Sequence, residues 1–185
     1  SSNSMTISEG GRVTSSVGYI GKNATSAHNT VTVTGTNSTW TNNGILHVGY
    51  GGSNNTLTVA NNGTVSASSI SIASQGGSTG TLNLGTGTTV GTLSAATITG
   101  GNGTAVVNIN QSGSYTLGSN MTGSLALNHI GTGTTTLTGT NTSIGATTIS
   151  AGTLQVGDGG TAGSLASNIT NNAALVFNRS NASSY

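Results

Sequence analysis

A recurrence constrains this chain more than anything else in it. The apolar–polar–apolar triplets Met5-Thr6-Ile7, Val31-Thr32-Val33, Leu57-Thr58-Val59, Leu82-Asn83-Leu84 and Val107-Asn108-Ile109 return at a nearly constant interval. From the first member of one triplet to that of the next, the step is about 25 residues each time. Each triplet has the two-residue period of a strand with one face buried. Thr and Asn at the middle positions face outward, and β-branched Thr suits a pleated surface better than a helix. No stretch carries apolar residues at three-and-four spacing over several turns, so the chain reads as all-β.

Two further ladders accompany the first. Val13, Trp40, Val65, Val90 and Tyr115 follow the triplets by eight or nine residues. Ile20, Leu46, Ile72, Ile98 and Met121 form a looser third set whose offset drifts by a residue or two. Self-similarity at such a period marks a repeat architecture. Three short strands per repeat predict a right-handed, three-sided parallel β-helix with about 25 residues per rung. Asn61-Asn62-Gly63 and Gly51-Gly52-Ser53-Asn54-Asn55 are the expected corners, because Asn and Gly accept left-handed backbone angles. One rung cannot bury its inward side chains, whereas stacked rungs form a continuous aliphatic column. At about 4.8 Å per strand, about seven rungs make a rod roughly 35 Å long. An antiparallel sandwich also repeats strands every 8–12 residues, but it does not preserve the long period, and no regular two-residue hairpin loops punctuate this sequence.

Composition alone would suggest a flexible linker. Gly, Ser, Thr and Asn fill 115 of the 185 positions, and 3% of residues are charged, a bias common in disordered segments. The alternation of Val, Ile and Leu argues for order instead. Low charge also excludes functions: three Lys+Arg cannot build the clustered basic surface that nucleic acid requires. No apolar run approaches the roughly 18–20 residues of a helical membrane span, so membrane insertion of this segment is not expected. The absence of Cys removes disulfides and thiolate metal sites.

The last third carries a recognisable pattern. The run from Gly131 to Asn141, GTGTTTLTGTN, is followed by Gly145 to Gly157, GATTISAGTLQVG, and then by Asn172 to Ser180, NAALVFNRS, ending near Tyr185. This resembles the autotransporter-associated β-strand repeat, also called the passenger-associated transport repeat. His129 stands where the family often has Lys, and Ile144 where it usually has an aromatic residue. Gly35 to Trp40 and Leu46 to Gly49 resemble passenger sequence more weakly. The resemblance covers about residues 125–185 well and about 30–90 loosely. It implies a single β-helix segment, 1–185, of a larger type V secreted passenger, with 25-residue rungs over 1–124 and transport-repeat-like rungs over 125–185. The opening Ser1-Ser2-Asn3 has no basic and apolar segments of a signal peptide, so the chain reads as a piece of a longer surface protein.

Residues able to carry chemistry are sparse. Glu9 and Asp158 are the two acids, expected about six rungs or roughly 29 Å apart, against about 5–10 Å for a glycosidase pair. An enzyme is therefore not expected, and neither is a cofactor or a metal. Asp158 in Gly157-Asp158-Gly159-Gly160 is a turn residue, since calcium needs six to eight oxygens. His28, His47 and His129 fall in different rungs without convergent spacing; His47, between Leu46 and Val48, is expected on a solvated face. Trp40 and Tyr115 are expected to stack within the second ladder. Tyr19 and Tyr50 each follow Val-Gly, which favours a turn role over a sugar-stacking surface.

Thr30, Thr32, Thr34 and Thr36 raise ice binding, but neighbouring rungs replace them by Ser, Asn or Gly, which favours simple inter-rung hydrogen bonding. Asn23, Asn37, Asn102 and Asn168 open Asn-x-Ser/Thr triplets, acceptors for glycosylation that this composition also generates by chance. The expected function, drawn from the resemblance, is a structural or adhesive stalk on the extracellular side of a Gram-negative-type outer membrane, or secreted from it. Its partner would be its own C-terminal translocator barrel, which is absent from this chain. The alternatives are self-association, end to end or side by side, through rung ends that lack Pro and have one Lys, Lys22, and binding of host or surface glycans or of ice.

Overall fold

The computed structural model describes residues 2–181; Ser1 and residues 182–185, including Tyr185 at the end of the transport-repeat-like run, lie outside the described residues. Strands stack coil upon coil. The first coil contains β1 (Ser4–Ile7), β2 (Arg12–Ser15) and β3 (Gly18–Ile20); the second contains β4 (Thr30–Thr34) and the long β5 (Thr39–Val48). β6 (Asn55–Ala60) and β7 (Thr64–Ile72) make the third, and β8 (Thr79–Leu84), β9 (Thr92–Ser94) and the start of β10 (Thr97–Ile109) the fourth. β10 and β12 (Asn120–His129) each turn a corner into the next coil, with β11 (Ser114–Leu117) between them. The last coils contain β13 (Thr134–Leu137), β14 (Thr147–Ile149), β15 (Thr153–Val156), β16 (Ile169–Asn171) and β17 (Ala174–Phe177). All strand pairings between these elements are parallel, and no helix occurs among the described residues. The chain is a β-solenoid of about seven turns.

One side runs the whole length in register: Met5, Val31, Leu57, Leu82, Val107, Leu127, Thr147 and Ile169 stand in one column. The recurrence read from the sequence is thus the coil itself. Beyond Val107 the step shortens to about 20 residues, and the column continues at Leu127, Thr147 and Ile169. The next inward column is Ile7, Val33, Val59, Leu84, Ile109, His129 and Ile149. Val33, Leu57, Val59, Leu82, Leu84, Val107 and Ile109 are completely buried. Each such side chain contributes about 1.5–3 kcal/mol of transfer free energy.

The other two ladders need correction. Val13, Trp40 and Val65 do stand in register, but their next neighbour is Leu93 rather than Val90. The excursion Gly85–Thr89 lengthens that corner and delays the strand, leaving Val90 bridged to Ala60 instead. Tyr115 leaves this ladder altogether. It opens a separate four-stranded sheet, β11-β13-β15-β17, where it pairs with Thr135. The drifting third ladder resolves into two inward columns, Gly18–Leu46–Ile70–Ile98–Met121 and Ile20–Val48–Ile72–Gly100.

The corners behave largely as expected: Asn54, Asn61 and Asn62 have φ of 55°, 48° and 65°. Asn55 does not belong to its corner. It starts β6, is buried, and accepts from Asn29 while donating to the Ser26 and Ser53 carbonyls.

Candidate functional site

Alternation along β3 and β5 decides what reaches solvent on the third side. Gly18, Ile20, Leu46 and Val48 point inward, so Tyr19 and His47 point outward, in register one above the other. Their rings stack with centroids 4.7 Å apart and planes 9° from parallel. Gly18 makes room for this arrangement from below, since a Cβ there would sit 2.6 Å from Leu46 Cδ1 and 3.0 Å from Trp40 Cζ2. Just past β5, Gly49 turns the chain at φ +74°, where a Cβ would meet the Thr79 carbonyl oxygen at 2.5 Å. That turn brings Tyr50 back beside the pair, at 88° to Tyr19 and 84° to His47, with centroids 5.5 and 5.0 Å away. Lys22 Nζ lies 4.9 Å from the Tyr19 ring centroid, within cation–π range.

The two Val-Gly-Tyr sequences therefore play different parts: Tyr50 is in a turn, whereas Tyr19 is in a strand and 42% exposed. His47 is half-buried rather than fully solvated, and burial holds its imidazole below the usual pKa. Its Nδ1 lies 3.4 Å from Ser74 Oγ, which in turn bonds Ser71 Oγ at 2.9 Å. Lys22, the one Lys of the chain, stands beside these stacked rings.

The remaining candidates stay apart. Glu9 lies in the turn after β1 and Asp158 in the bend after β15, both exposed. His28 is exposed in a corner and His129 is wholly buried. No group of three or more His, Cys, Asp or Glu able to hold a metal occurs among the described residues. Trp40 is buried in the second side, with its Nε1 donating to Ser15 Oγ at 3.1 Å and that hydroxyl donating to Asn42 Oδ1 at 2.7 Å. Burial raises the Tyr115 phenol pKa to about 12, so this group stays neutral.

The first side carries an uncharged outward face. Thr6, Thr32, Thr58, Asn83, Asn108, Asn128, Thr148 and Thr170 follow one another in register. Asn128 donates to Asn108 Oδ1 at 3.0 Å, Asn108 to Asn83 Oδ1 at 2.9 Å, and Asn83 to Thr58 Oγ1 at 3.4 Å. A parallel column runs Ser4, Thr30, Thr56, Thr81 and then Val106. Thr rows are thus real but short: Thr gives way to Asn in one column and to Val in the other.

Sequence reasoning named Tyr19, His47 and Tyr50 separately and missed their convergence. The signal was present in the spacing: Ile20 pairs with Val48, and the same step carries Tyr19 to His47.

Comparison with known proteins gives a partial likeness. Over 41 residues, 22% of this chain, the sequence is 61% identical to the adhesin BmaC autotransporter of Brucella suis biovar 1 (strain 1330). The matched stretch spans about 1% of that protein's length. No protein-family model matches the chain, and no solved structure matches it. Over part of its length, this solenoid is therefore related to an autotransporter adhesin.

Proposed function

We propose that the chain is a stalk segment of an autotransporter passenger, displayed on the cell surface or secreted, where it projects and presents adhesive parts of a larger protein. The observation that carries this reading is the unbroken inward column of the first side, joined to the likeness to an adhesin of the same export class. A rod of this kind holds distant parts at fixed separation, because each coil is fixed by the coil below it. The pattern Gly131–Gly157 falls on β13, β14 and β15, and Asn172–Ser180 contains β17, which supports reading the last coils as a passenger-associated transport repeat. Each new coil finds a parallel edge ready to pair, so the chain can add coils one after another as it emerges from a translocator barrel. The low charge leaves little electrostatic resistance to that passage.

The test uses the full-length gene product in its own cells. An epitope inserted between Gly76 and Gly77, an exposed corner with open space around both residues, should be labelled by antibody on intact cells. Labelling only after permeabilisation would overturn surface display.

A further inference from the structure

We propose that Tyr19, Lys22, His47 and Tyr50 form a binding site for a carboxylate-bearing sugar residue of a glycan. A chain that is 3% aromatic and 3% charged gathers two Tyr, a His and its one Lys into a single outward patch. Stacking of the coils does not require this. In the same outward column the following coils carry Ser71, Thr99 and Thr122, with Thr99 and Thr122 hydroxyls 3.0 Å apart. Small hydroxyl residues satisfy the register there, so the rings at the first two coils serve something else.

The chemistry of the patch selects the ligand. Aromatic rings at right angles to one another offer an apolar surface with phenolic hydroxyls at its edge, which suits a pyranose with its C–H face and its hydroxyl rim. The ammonium of Lys22 adds one positive charge, and neither Glu9 nor Asp158 belongs to the cluster to neutralise it. A neutral sugar would leave that charge unused. A polyphosphate backbone would need several cations in a row. A sugar carrying one carboxylate matches one cation beside an aromatic corner.

The site depends on the surface display proposed above only for its biological setting. Binding is measured on the purified chain, so failure of either idea leaves the other standing on its own test. Ligand-observed NMR and titration calorimetry would compare 3′-sialyllactose with lactose, and tri-galacturonate with a neutral galactose trimer; the two pairs separate sialic from uronic acids. At least one acidic sugar should bind more tightly than its neutral counterpart, and less tightly at high salt. Lys22→Gln should weaken that binding about threefold to fivefold, and Tyr50→Ala about tenfold. Far-UV circular dichroism checks that each variant remains folded, and Tyr50→Leu serves if Tyr50→Ala does not. Absence of binding by both acidic sugars, equal binding of the neutral ones, or indifference to both substitutions would each overturn the proposal.

Discussion

The coils before Ile109 and those after it solve the same packing problem differently. The earlier ones take about 25 residues per step on the first side and pair all three of their sides within one 13-stranded sheet, which also carries the first side of the later coils. The later ones take about 20 residues per step and place their second side in a separate four-stranded sheet. The third side saves residues mainly at its exit toward the first: Leu127 follows Met121 much sooner than Leu82 follows Ile70. Ile70, Ile98 and Met121 line it in regular strands, but the segment after β13 runs across it without strand pairing. Asn141 takes over there. Its Oδ1 accepts from the Met121 backbone N–H at 2.9 Å, and its Nδ2 donates to the Gly139 and Ser164 carbonyls at 3.2 and 2.9 Å.

The interior changes with the period. Before Ile109 the buried polar residues are Ser38, Asn42, Asn55 and Ser78; after it they are Gln111, Ser119, His129, Thr135, Asn141, Ser143, Thr147 and Ser167. No buried side-chain nitrogen or oxygen lacks a partner among the described residues. His129 shows how closely this is arranged. Its Nδ1 lies 2.8 Å from the Ala151 carbonyl, which can only accept, so Nδ1 carries the proton. Nε2 then accepts from the Thr135 hydroxyl at 3.1 Å, while Gln111 Nε2 donates to Thr135 Oγ1 and to the Thr134 carbonyl. Shorter coils thus keep their ladders on two sides but replace part of the aliphatic burial and of the third-side pairing with side-chain hydrogen bonds. Such a network is costly to break, because a lone buried partner keeps its desolvation penalty.

The largest effect should come from charging the aliphatic column. Val59→Asp places a carboxylate in a fully buried position, and should cost several kcal/mol, about 3–5 by analogy with unpaired buried charges. Thr58→Lys, one residue away on the outward face, should cost at most about 1 kcal/mol. Chemical denaturation of the two variants measures the difference; equal losses would break the inward and outward assignment. Next, Asn141→Ala should destabilise the later coils by about 2–4 kcal/mol, since it strands the Met121 backbone N–H and removes the side-chain donor from the Ser164 carbonyl, while the Gly139 carbonyl keeps its bond from the Ser164 N–H. Hydrogen exchange should show the loss around Met121 and Ser164 and leave Val59 protected; uniform loss would contradict the separation of the two regions.

A smaller effect is set by pH. Burial lowers the His129 pKa against an opposing hydrogen bond to Ala151, so the folded chain resists a proton that the unfolded chain accepts. Stability should be full above the unfolded value near 6.5 and decline as pH falls below it. His47 shifts in the same direction, again by burial, so the variants His129→Leu and His47→Gln must be compared. Only the first should flatten the pH dependence of exchange in the later coils. The smallest effect belongs to the surface ladder. Asn108→Ala breaks the bonds to Asn83 and Asn128 and should cost about 0.5–1 kcal/mol in denaturant midpoint analysis.

These contrasts explain what could be read in advance. The early coils are legible because Met5, Val31, Leu57, Leu82 and Val107 repeat both spacing and chemistry. Legibility fades where inward positions stop being aliphatic: His129 and Thr147 occupy the columns but read as surface residues. The third side blurred for another reason. Inward residues two apart, such as Leu46 and Val48, are interchangeable in a sequence pattern, and choosing the wrong one hid the pairing of Tyr19 with His47. Clusters formed across coils depend on the exact register, which a drift of two residues conceals.

The central claim, a change of coil length without a change of stacking, can be tested by cross-linking, because the chain has no Cys of its own. Register partners in neighbouring parallel strands lie about 4.8 Å apart, within reach of a disulfide. Mild oxidation should join Thr32→Cys to Thr58→Cys across a long step, and Asn128→Cys to Thr148→Cys across a short one. Asn128→Cys with Thr153→Cys, which would be partners if the longer step continued, should stay reduced. A disulfide in that last pair, with none between positions 128 and 148, would contradict the account.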